Sequence, residues 1–273
     1  MYKIVTKRNL TPNIKLFEVE APEVAKKARP GQFVIVMAHE KGERIPITMA
    51  DADAERGTVT IVFAEVGKTS KLLGELNEGE EIFSFLGPLG NAIEVENYGS
   101  ILMVGGGVMI GALHYQAKAL RGVGNEIISV VGARSSEQLT FVEEMRDISD
   151  ELYVATDDGS EGKKGLDFLE DLLTDKKFDR VFTIGPTSMQ KEVSEMTRLH
   201  GIPTTVNLFP VMVDGMGMCG ACRVTVGGET KFACVDGPDF DGHKVDFEEL
   251  ISRMRYYNPQ EKIAMVVHKW EEP

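Results

Sequence analysis

The chain has 273 residues, enough for two domains with separate cores or for one large barrel, and its 42% hydrophobic and 27% charged content is ordinary for a globular protein. A net charge of −13 argues against nucleic acid or an anionic membrane as a partner, because both would repel the chain. The first ten residues hold no apolar run, and the longest apolar stretch, Ile101–Leu113, is too short for a bilayer. Three cysteines do not make a paired disulfide framework, so we expect a cytoplasmic protein.

The first part of the chain, residues 1–98, predicts an antiparallel β domain. Short runs rich in Val, Ile, Phe and Thr alternate with Gly, Pro and charged turns: YKIVTKR, IKLFEVEA, GQFVIVMA, RIPITMA, GTVTIVFAEV and EEIFSFL. This spacing is typical of a barrel or sandwich. One helix is expected within the domain, over Thr69–Leu76, where a hydroxyl residue begins an apolar run.

Residues 99–205 change to alternating strands and helices. The predicted strands are ILMVGG, EIISVVGA, ELYVAT and RVFTIG, and the predicted helices are GALHYQAKAL, SSEQLTFVEEMRDIS, LDFLEDLLTD and SMQKEVSEMTRLHG. Such alternation predicts a doubly wound parallel sheet with right-handed crossovers. Residues 206–245 predict a small module of short strands and glycine turns around the cysteines. Residues 246–273 predict a helix over Asp246–Tyr257 and a tail.

A glycine-rich segment, VGGGVMIG, lies where the first strand of the α/β region passes into a helix. Gly105, Gly106 and Gly107 would bring backbone amides and a helix start close to a pyrophosphate. Ile110 takes the position of the last glycine in G-x-G-x-x-G, so the alternative is a tight turn that merely packs helix on strand. The strand–turn–helix context favours nucleotide binding.

Three later strand ends of the same region carry candidate nucleotide contacts. Arg134 follows the second strand where an acidic, ribose-binding residue is expected; it would suit an adenosine 2′-phosphate or be a surface charge, which leaves NAD against NADP open. Asp157 and Asp158 follow the third strand and would accept hydrogen bonds from ribose or nicotinamide, or form an ordinary acidic turn. Gly185 and Pro186 follow the fourth strand, before a helix that begins with hydroxyl residues.

Two segments of the β domain suit a phosphate-bearing ligand. The first, RIPIT, combines a guanidinium and a hydroxyl on one strand, and the second, VGKTSKLL, places backbone amides and hydroxyls at a helix start. The groups concerned are Arg44 and Thr48 in the first segment and the amides and hydroxyls of Gly67–Ser70 in the second. Each segment is equally consistent with a plain strand or helix cap.

The cysteine module predicts a metal centre. Asp214, Cys219, Cys222 and Cys234 form the pattern D-x4-C-x2-C-x11-C, and the plant-type [2Fe–2S] pattern is C-x4-C-x2-C followed by a distant cysteine. Asp214 therefore stands at the first ligand position. The alternative is zinc held by the three cysteines and a fourth residue such as His243. The x4 spacing and the nucleotide candidates upstream favour iron and sulfide. The sequence indicates no nucleophile, triad or general base.

Together these segments resemble the ferredoxin–NADP reductase superfamily, in which a flavin barrel precedes a nicotinamide-binding α/β domain. The R-x-P-x-[ST] segment at Arg44–Thr48, the G-x-x-S segment at Gly67–Ser70 and GPLGN at Gly87–Asn91 carry this likeness, with the glycine loop, DDGS and GP of the α/β region. The terminal cysteine module narrows the resemblance to electron-transfer subunits of the dihydroorotate dehydrogenase type.

The resemblance implies FAD on the barrel, NAD(H) or NADP(H) on the α/β domain, and a [2Fe–2S] cluster in the cysteine module. Those subunits have cysteine where this chain has Asp214, and aspartate with three cysteines is similar to the small subunits of electron-bifurcating NADH-dependent ferredoxin:NADP oxidoreductases. That likeness implies a larger partner subunit with a second flavin and [4Fe–4S] clusters, and ferredoxin acting through it. The alternatives are an electron-transfer subunit of an NAD-dependent dihydroorotate dehydrogenase and, from another class, a zinc-bearing scaffold.

Overall fold

The computed structural model describes residues 1–268, which begin with an antiparallel barrel. Its strands are β1 (Tyr2–Thr11), β2 (Ile14–Glu20), β3 (Phe33–Met37), β4 (Ile45–Asp53), β5 (Thr58–Ala64), β6 (Glu81–Ile82) and β7 (Ser84–Leu89), and its helices are α1 (Pro22–Ala25) and α2 (Lys68–Glu75). The strand order is β6-β1-β2-β5-β4-β3-β7. Every predicted strand run is present, and the predicted helix is α2, which begins and ends one residue earlier than expected.

The barrel closes around one apolar core. Inward-facing residues of β1, β2 and β7, such as Ile4, Phe17 and Phe85, are buried, as period-2 alternation on a half-buried strand requires. The Phe17 and Phe63 rings meet edge to face with centroids 5.1 Å apart. Residues of β3 and β4 are part of this core, which fixes the position of both strands.

The α/β region forms a doubly wound sheet, as predicted. Its elements are β8 (Ser100–Gly106), α3 (Ile110–Gly122), β9 (Glu126–Ala133), α4 (Val142–Ile148), β10 (Glu151–Thr156), β11 (Lys163–Lys164), α5 (Phe168–Asp175), β12 (Arg180–Ile184), α6 (Thr187–Leu199) and β13 (Thr204–Asn207). The strands are parallel in the order β11-β10-β9-β8-β12-β13. Alternate residues of β8 enter separate cores on the two faces, one including α3 and α4 and the other α5 and α6.

One predicted helix of this region is wrong in extent. The segment 135–149 contains a short 3-10 turn at Ser136–Gln138 and then α4, separated by Phe141 in the left-handed region at φ 57°. The Phe141 ring packs between Gly111 and Val62, so it fills the seam between the barrel and the sheet. Burial of this ring across two domains outweighs the local preference for a continuous helix.

The cysteine segment is joined to both larger parts. It contains the hairpin β14 (Arg223–Val226) and β15 (Glu229–Phe232) and the strand β16 (Asp239–Asp241), which pairs antiparallel with β13 at the edge of the parallel sheet. Because β13 runs across the predicted boundary at 205/206, the module continues directly from that sheet. Phe33 and Ile35 of β3 pack against the buried cysteines Cys222 and Cys234.

The C-terminal helix begins where the sequence indicated, with Asp246 accepting a hydrogen bond from the Glu249 amide at 2.9 Å. It is shorter than predicted, α7 (Phe247–Met254), and a further helix follows, α8 (Asn258–His268). Residues 269–273 of the predicted tail lie outside the described part of the chain. Among residues 1–268, no helix combines the length and apolar character needed to cross a bilayer.

Candidate functional site

The parallel sheet brings the glycine loop and the Gly185–Pro186 segment together at the carboxyl ends of β8 and β12. Gly105 lies opposite Ile184 across the strand pair. A Cβ on Gly106 would lie 2.7 Å from Met189 Sδ and 2.9 Å from Pro186 Cδ, so the two strand ends touch. Gly107 has φ +60° and open space where a side chain would stand. Gly105 and Gly106 are buried, and the Leu113 and Met189 side chains occupy the space that a Cβ would need, so these two glycines allow close packing within the protein. Gly107 is the open position of this edge that a dinucleotide can approach closely.

Arg134, Asp157 and Asp158 lie together at the same edge, after β9 and β10. The Asp158 amide donates to the Arg134 carbonyl at 3.2 Å, and Asp158 Oδ1 accepts from the Ser160 amide at 2.9 Å. Hydrogen bonds from the hydroxyl and amide of Ser160 lower the pKa of Asp158, so this carboxylate is held ionised. Arg134 is exposed, so its guanidinium is available to an anionic ligand.

The two predicted flavin segments of the barrel also meet. Thr69 Oγ1 donates to Glu43 Oε2 at 2.9 Å, which ties the start of α2 to the residue just before Arg44. The Thr48 hydroxyl on β4 is buried, and no hydrogen-bond partner for it exists among residues 1–268. Because an unpaired buried hydroxyl costs free energy, Thr48 fits a ligand that completes the bond. Arg44 is exposed and immediately precedes the same strand.

The hydroxyls assigned to a phosphate have structural partners. Ser70 Oγ accepts from the amides of Val66 and Gly67 at 3.0 Å each, which caps α2, and the Thr69 hydroxyl is engaged by Glu43. Gly67 has no atom within 4 Å of the position of a Cβ, so the approach to the helix start is open. Pro46 and Ile47 lie on β4 between Arg44 and Thr48, and Lys68 is the first residue of α2.

The four predicted metal ligands lie as two adjacent pairs. Cys222 Sγ and Cys234 Sγ are 3.2 Å apart and buried, at 2% and 1% exposure. Asp214 Oδ2 accepts from the amide of Cys219 at 2.7 Å, and Cys219 is exposed. Within residues 1–268, no three His, Cys, Asp or Glu side chains are already closed into a metal-binding group.

The donors and the loop around them suit a cluster. Burial and the neighbouring Cys222 thiol raise the pKa of Cys234 to about 12, whereas hydrogen bonds from the Met216 and Cys219 amides lower the pKa of Asp214. Gly215 and Gly217 have φ of +73° and +80°, and a Cβ on Gly215 would lie 2.9 Å from both Ile35 and Leu89 side chains. Three thiols and one carboxylate on a backbone that needs glycine fit a [2Fe–2S] group.

His243, the fourth ligand of the zinc alternative, lies elsewhere. Its Nε2 is 3.1 Å from the Thr197 hydroxyl on α6, and its carbonyl accepts from Arg198. His243 therefore holds the segment after β16 against α6, and its ring is not available as the fourth ligand of the zinc alternative.

Two arginines that the sequence analysis did not single out contact the C-x2-C turn. Arg223 Nη1 donates to the Gly220 carbonyl at 3.2 Å, and Arg253 Nη2 donates to the Ala221 carbonyl at 3.3 Å. Both line a cavity of about 400 Å³ beside Cys219. Arg223 could have been found from the sequence because it directly follows Cys222. Arg253 could not, because it is 32 residues from Ala221 in the chain.

Exposed apolar side chains surround the same loop, and we call them the apolar collar. They are Val213 (52% exposed), Met216 (48%), Met218 (83%) and Val235 (43%). Apolar residues gathered around an exposed cysteine favour a protein interaction surface.

An antiparallel barrel, a doubly wound sheet with a glycine turn at its edge and a terminal cysteine module define the class of ferredoxin–NADP reductase-like proteins with an iron–sulfur domain. Residues 210–246 match the iron-sulfur cluster binding domain of dihydroorotate dehydrogenase B. Phthalate dioxygenase reductase has the same fold, with a TM-score of 0.58 at 19% identity over 82% of this chain and 85% of that one.

More similar proteins define the family. The chain is 50% identical to the dihydroorotate dehydrogenase B (NAD(+)) electron transfer subunit homolog of Thermotoga maritima, over 96% of this chain and 93% of that protein. It is 32% identical to a probable electron transfer subunit of the same enzyme in Methanocaldococcus jannaschii, over 87% of each. The chain belongs to the family of dihydroorotate dehydrogenase B electron-transfer subunits and their homologues.

One solved structure is more specific. A chain of the NADH-dependent reduced ferredoxin-NADP oxidoreductase, studied for flavin-based electron bifurcation, superposes with a TM-score of 0.93 at 48% identity over 98% of both chains. These findings confirm the predicted resemblance to dihydroorotate dehydrogenase-type electron-transfer subunits and the predicted fold of a barrel followed by a doubly wound sheet. They also confirm the prediction of an oxidoreductase subunit with an iron–sulfur domain.

Proposed function

We propose that this chain exchanges a hydride between NAD(H) and FAD and passes single electrons through a [2Fe–2S] cluster to a partner subunit. The observation that carries the proposal is the position of β3. Phe33 on this strand packs in the apolar cluster that holds Cys222 and Cys234, and it lies opposite Thr48 on β4. One strand therefore supports the candidate cluster site and the candidate flavin site, which suits transfer between them.

The barrel residues would hold the flavin. Thr48 supplies a buried hydroxyl without a protein partner, Arg44 an exposed guanidinium for an anionic group, and the segment Gly67–Ser70 an open helix start for the pyrophosphate. Pro46 and Ile47 lie on β4 between Arg44 and Thr48 and fix the spacing of these two residues along the strand. When bound, FAD supplies the exchange between two-electron and one-electron chemistry; the protein orients it and shapes its surroundings.

The strand ends of the sheet would hold the dinucleotide. Gly107 gives an open backbone position there, and Gly105, Gly106 and Gly185, with Pro186, let the two strand ends approach each other closely. Asp157 and Asp158 supply acceptors for ribose or nicotinamide groups. Arg134 beside them would accommodate a 2′-phosphate, so NADP(H) is a candidate as well as NAD(H).

Asp214, Cys219, Cys222 and Cys234 would hold the cluster. The thiols must lose their protons when they bind metal, which for Cys234 means overcoming a pKa raised to about 12 by burial. A carboxylate oxygen is a harder donor than a thiolate, so Asp214 should give a reduction potential unlike that of a four-cysteine cluster. Free thiols of this kind agree with the cytoplasmic location expected from the sequence.

The partner we propose is a larger subunit with its own flavin and [4Fe–4S] clusters, through which ferredoxin acts. The oxidoreductase that superposes on this chain supports it, and so does the naming of relatives as electron transfer subunits. The apolar collar around Cys219 is the surface on which we expect that subunit to dock. The second candidate partner is a dihydroorotate-oxidising subunit, which the names of several relatives favour.

The test is to isolate the native complex without oxygen, to identify the accompanying chain, and to measure iron, acid-labile sulfide and flavin. We expect two irons and two sulfides assignable to this subunit. Asp214→Cys should keep a [2Fe–2S] signal and change its potential, while Asp236→Asn, which alters a carboxyl bonded to the Phe232 amide in the same module, should not. A colourless protein containing zinc would contradict the proposal, and an unchanged spectrum and potential in Asp214→Cys would show that Asp214 is not a ligand.

A further inference from the structure

The C-x2-C turn is held from outside by two cations that come from different elements. Arg223 begins β14 and Arg253 lies on α7, and each bonds one of the two carbonyls between Cys219 and Cys222. Gly220 and Ala221 are half-buried rather than enclosed, so their carbonyls can bond water, and two guanidiniums are not needed for the turn to be stable. Their placement calls for a different explanation.

The first consequence concerns the amides of the turn. In a trans peptide the carbonyl and the N–H point in opposite directions. Holding the Gly220 and Ala221 carbonyls towards the arginines therefore turns the amides of Ala221 and Cys222 away from the arginines. In the described part of the chain these two amides donate to no protein acceptor. They are thus available to the sulfurs of a cluster held by Cys219 and Cys222.

The second consequence concerns charge. The cavity beside Cys219 is lined by Arg223, Arg253 and otherwise uncharged residues, so it holds two cations and no carboxylate. The whole chain carries a net charge of −13, so this is a local concentration of positive charge on an acidic protein. Among residues 1–268 neither arginine has a carboxylate partner that would cancel its charge.

We propose that Arg223 and Arg253 are positioning residues that raise the reduction potential of the cluster, by aiming the turn's amides at its sulfurs and by placing two positive charges beside it. Reduction adds one electron to the cluster, and both nearby cations and amide donors stabilise the added negative charge. The inference rests on the cluster proposed above and concerns its potential rather than its presence.

The experiment uses the anaerobically purified protein with its partner. The cluster potential is measured by redox titration followed by electron paramagnetic resonance, for Arg223→Gln, Arg253→Gln, the two Lys variants and the double Gln variant. Each Gln substitution should lower the equilibrium constant for reduction about tenfold, which is about 59 mV for one electron. The Lys variants keep the charge and should lie closer to the original value.

Arg198→Gln is the matched control, because Arg198 also donates to a backbone carbonyl, that of His243, but does not line the cavity. Its potential should equal that of the unmodified protein. Equal potentials in the unmodified protein and the double Gln variant would overturn the inference, and so would an equal shift in the Arg198 variant. If Arg253→Gln is isolated without iron, the test rests on Arg223→Gln, because Arg223 is exposed and its replacement disturbs the fold less. An unchanged cluster potential in Arg223→Gln would then overturn the inference. Absence of iron and labile sulfide from the unmodified protein would instead refute the proposed cluster itself.

Discussion

Asp239 lies on β16, where the cysteine module joins the parallel sheet and the barrel. Its Oδ1 accepts from Asn207 Nδ2 at 2.8 Å, whereas its Oδ2 is buried and has no partner among residues 1–268. A Cβ on Gly31 of the barrel would stand 2.8 Å from that oxygen. Burial raises the pKa of Asp239 from 3.8 to about 7, and the Asn207 hydrogen bond opposes the rise.

The linkage between proton binding and folding gives the sign and size of the effect of Asp239 on the free energy of unfolding. The folded protein binds this proton more tightly than the unfolded chain, so the free energy of unfolding falls as pH rises from 3.8 through 7. A difference of about three pKa units corresponds to about 4 kcal/mol at high pH, of which about 2 kcal/mol is already lost at pH 5. Between pH 5 and pH 8, therefore, ionisation of Asp239 should cost about 2–3 kcal/mol.

Asp239→Asn removes the ionisable group and keeps its shape. We expect the variant to be more stable than the original protein at pH 8, and its advantage to shrink by about 2–3 kcal/mol at pH 5. Urea unfolding followed by circular dichroism at both pH values measures this, with Asp171→Asn on the exposed surface of α5 as the control. Parallel stability–pH curves for Asp239→Asn and the original protein would refute the reasoning.

Two further predictions concern the cofactor sites. Gly215→Ala should reduce the iron content of the purified protein and destabilise it by about 1–3 kcal/mol, because the new Cβ would meet the Ile35 and Leu89 side chains at 2.9 Å with φ +73°. Gly228→Ala, at φ +80° with open space around it, supplies the control for backbone strain, and equal iron in both variants would contradict the prediction. Thr48→Val should weaken flavin binding about tenfold and raise the melting temperature of the flavin-free protein, since it removes an unpaired buried hydroxyl. Flavin retention during dialysis and thermal unfolding measure the two effects, and unchanged retention would argue against a flavin contact at Thr48.

Several features of the fold could be predicted because they depend on residues close together in the chain. Strand alternation in the barrel, the strand–glycine–helix passage at Gly105–Gly107 and the Asp246 cap of α7 are local, and the structure has them. The spacing of Asp214 and the cysteines is local too, and it indicated a metal module before any contact was known. The position of α4 could not be predicted, because Phe141 is placed by contacts with both domains.

The sequence by itself determined where most strands and helices form, which turns require glycine and which side chains have the chemistry to bind metal. Tertiary structure decided which groups are left without partners and which cations reach the site. It engaged the Thr69 and Ser70 hydroxyls within the protein, left the Thr48 hydroxyl unpaired, and brought Arg253 to Ala221 across 32 residues of chain. The physical reason is that local pattern follows from backbone geometry over a few residues, whereas burial and pairing depend on segments that meet only when the barrel, the sheet and the cysteine module pack together.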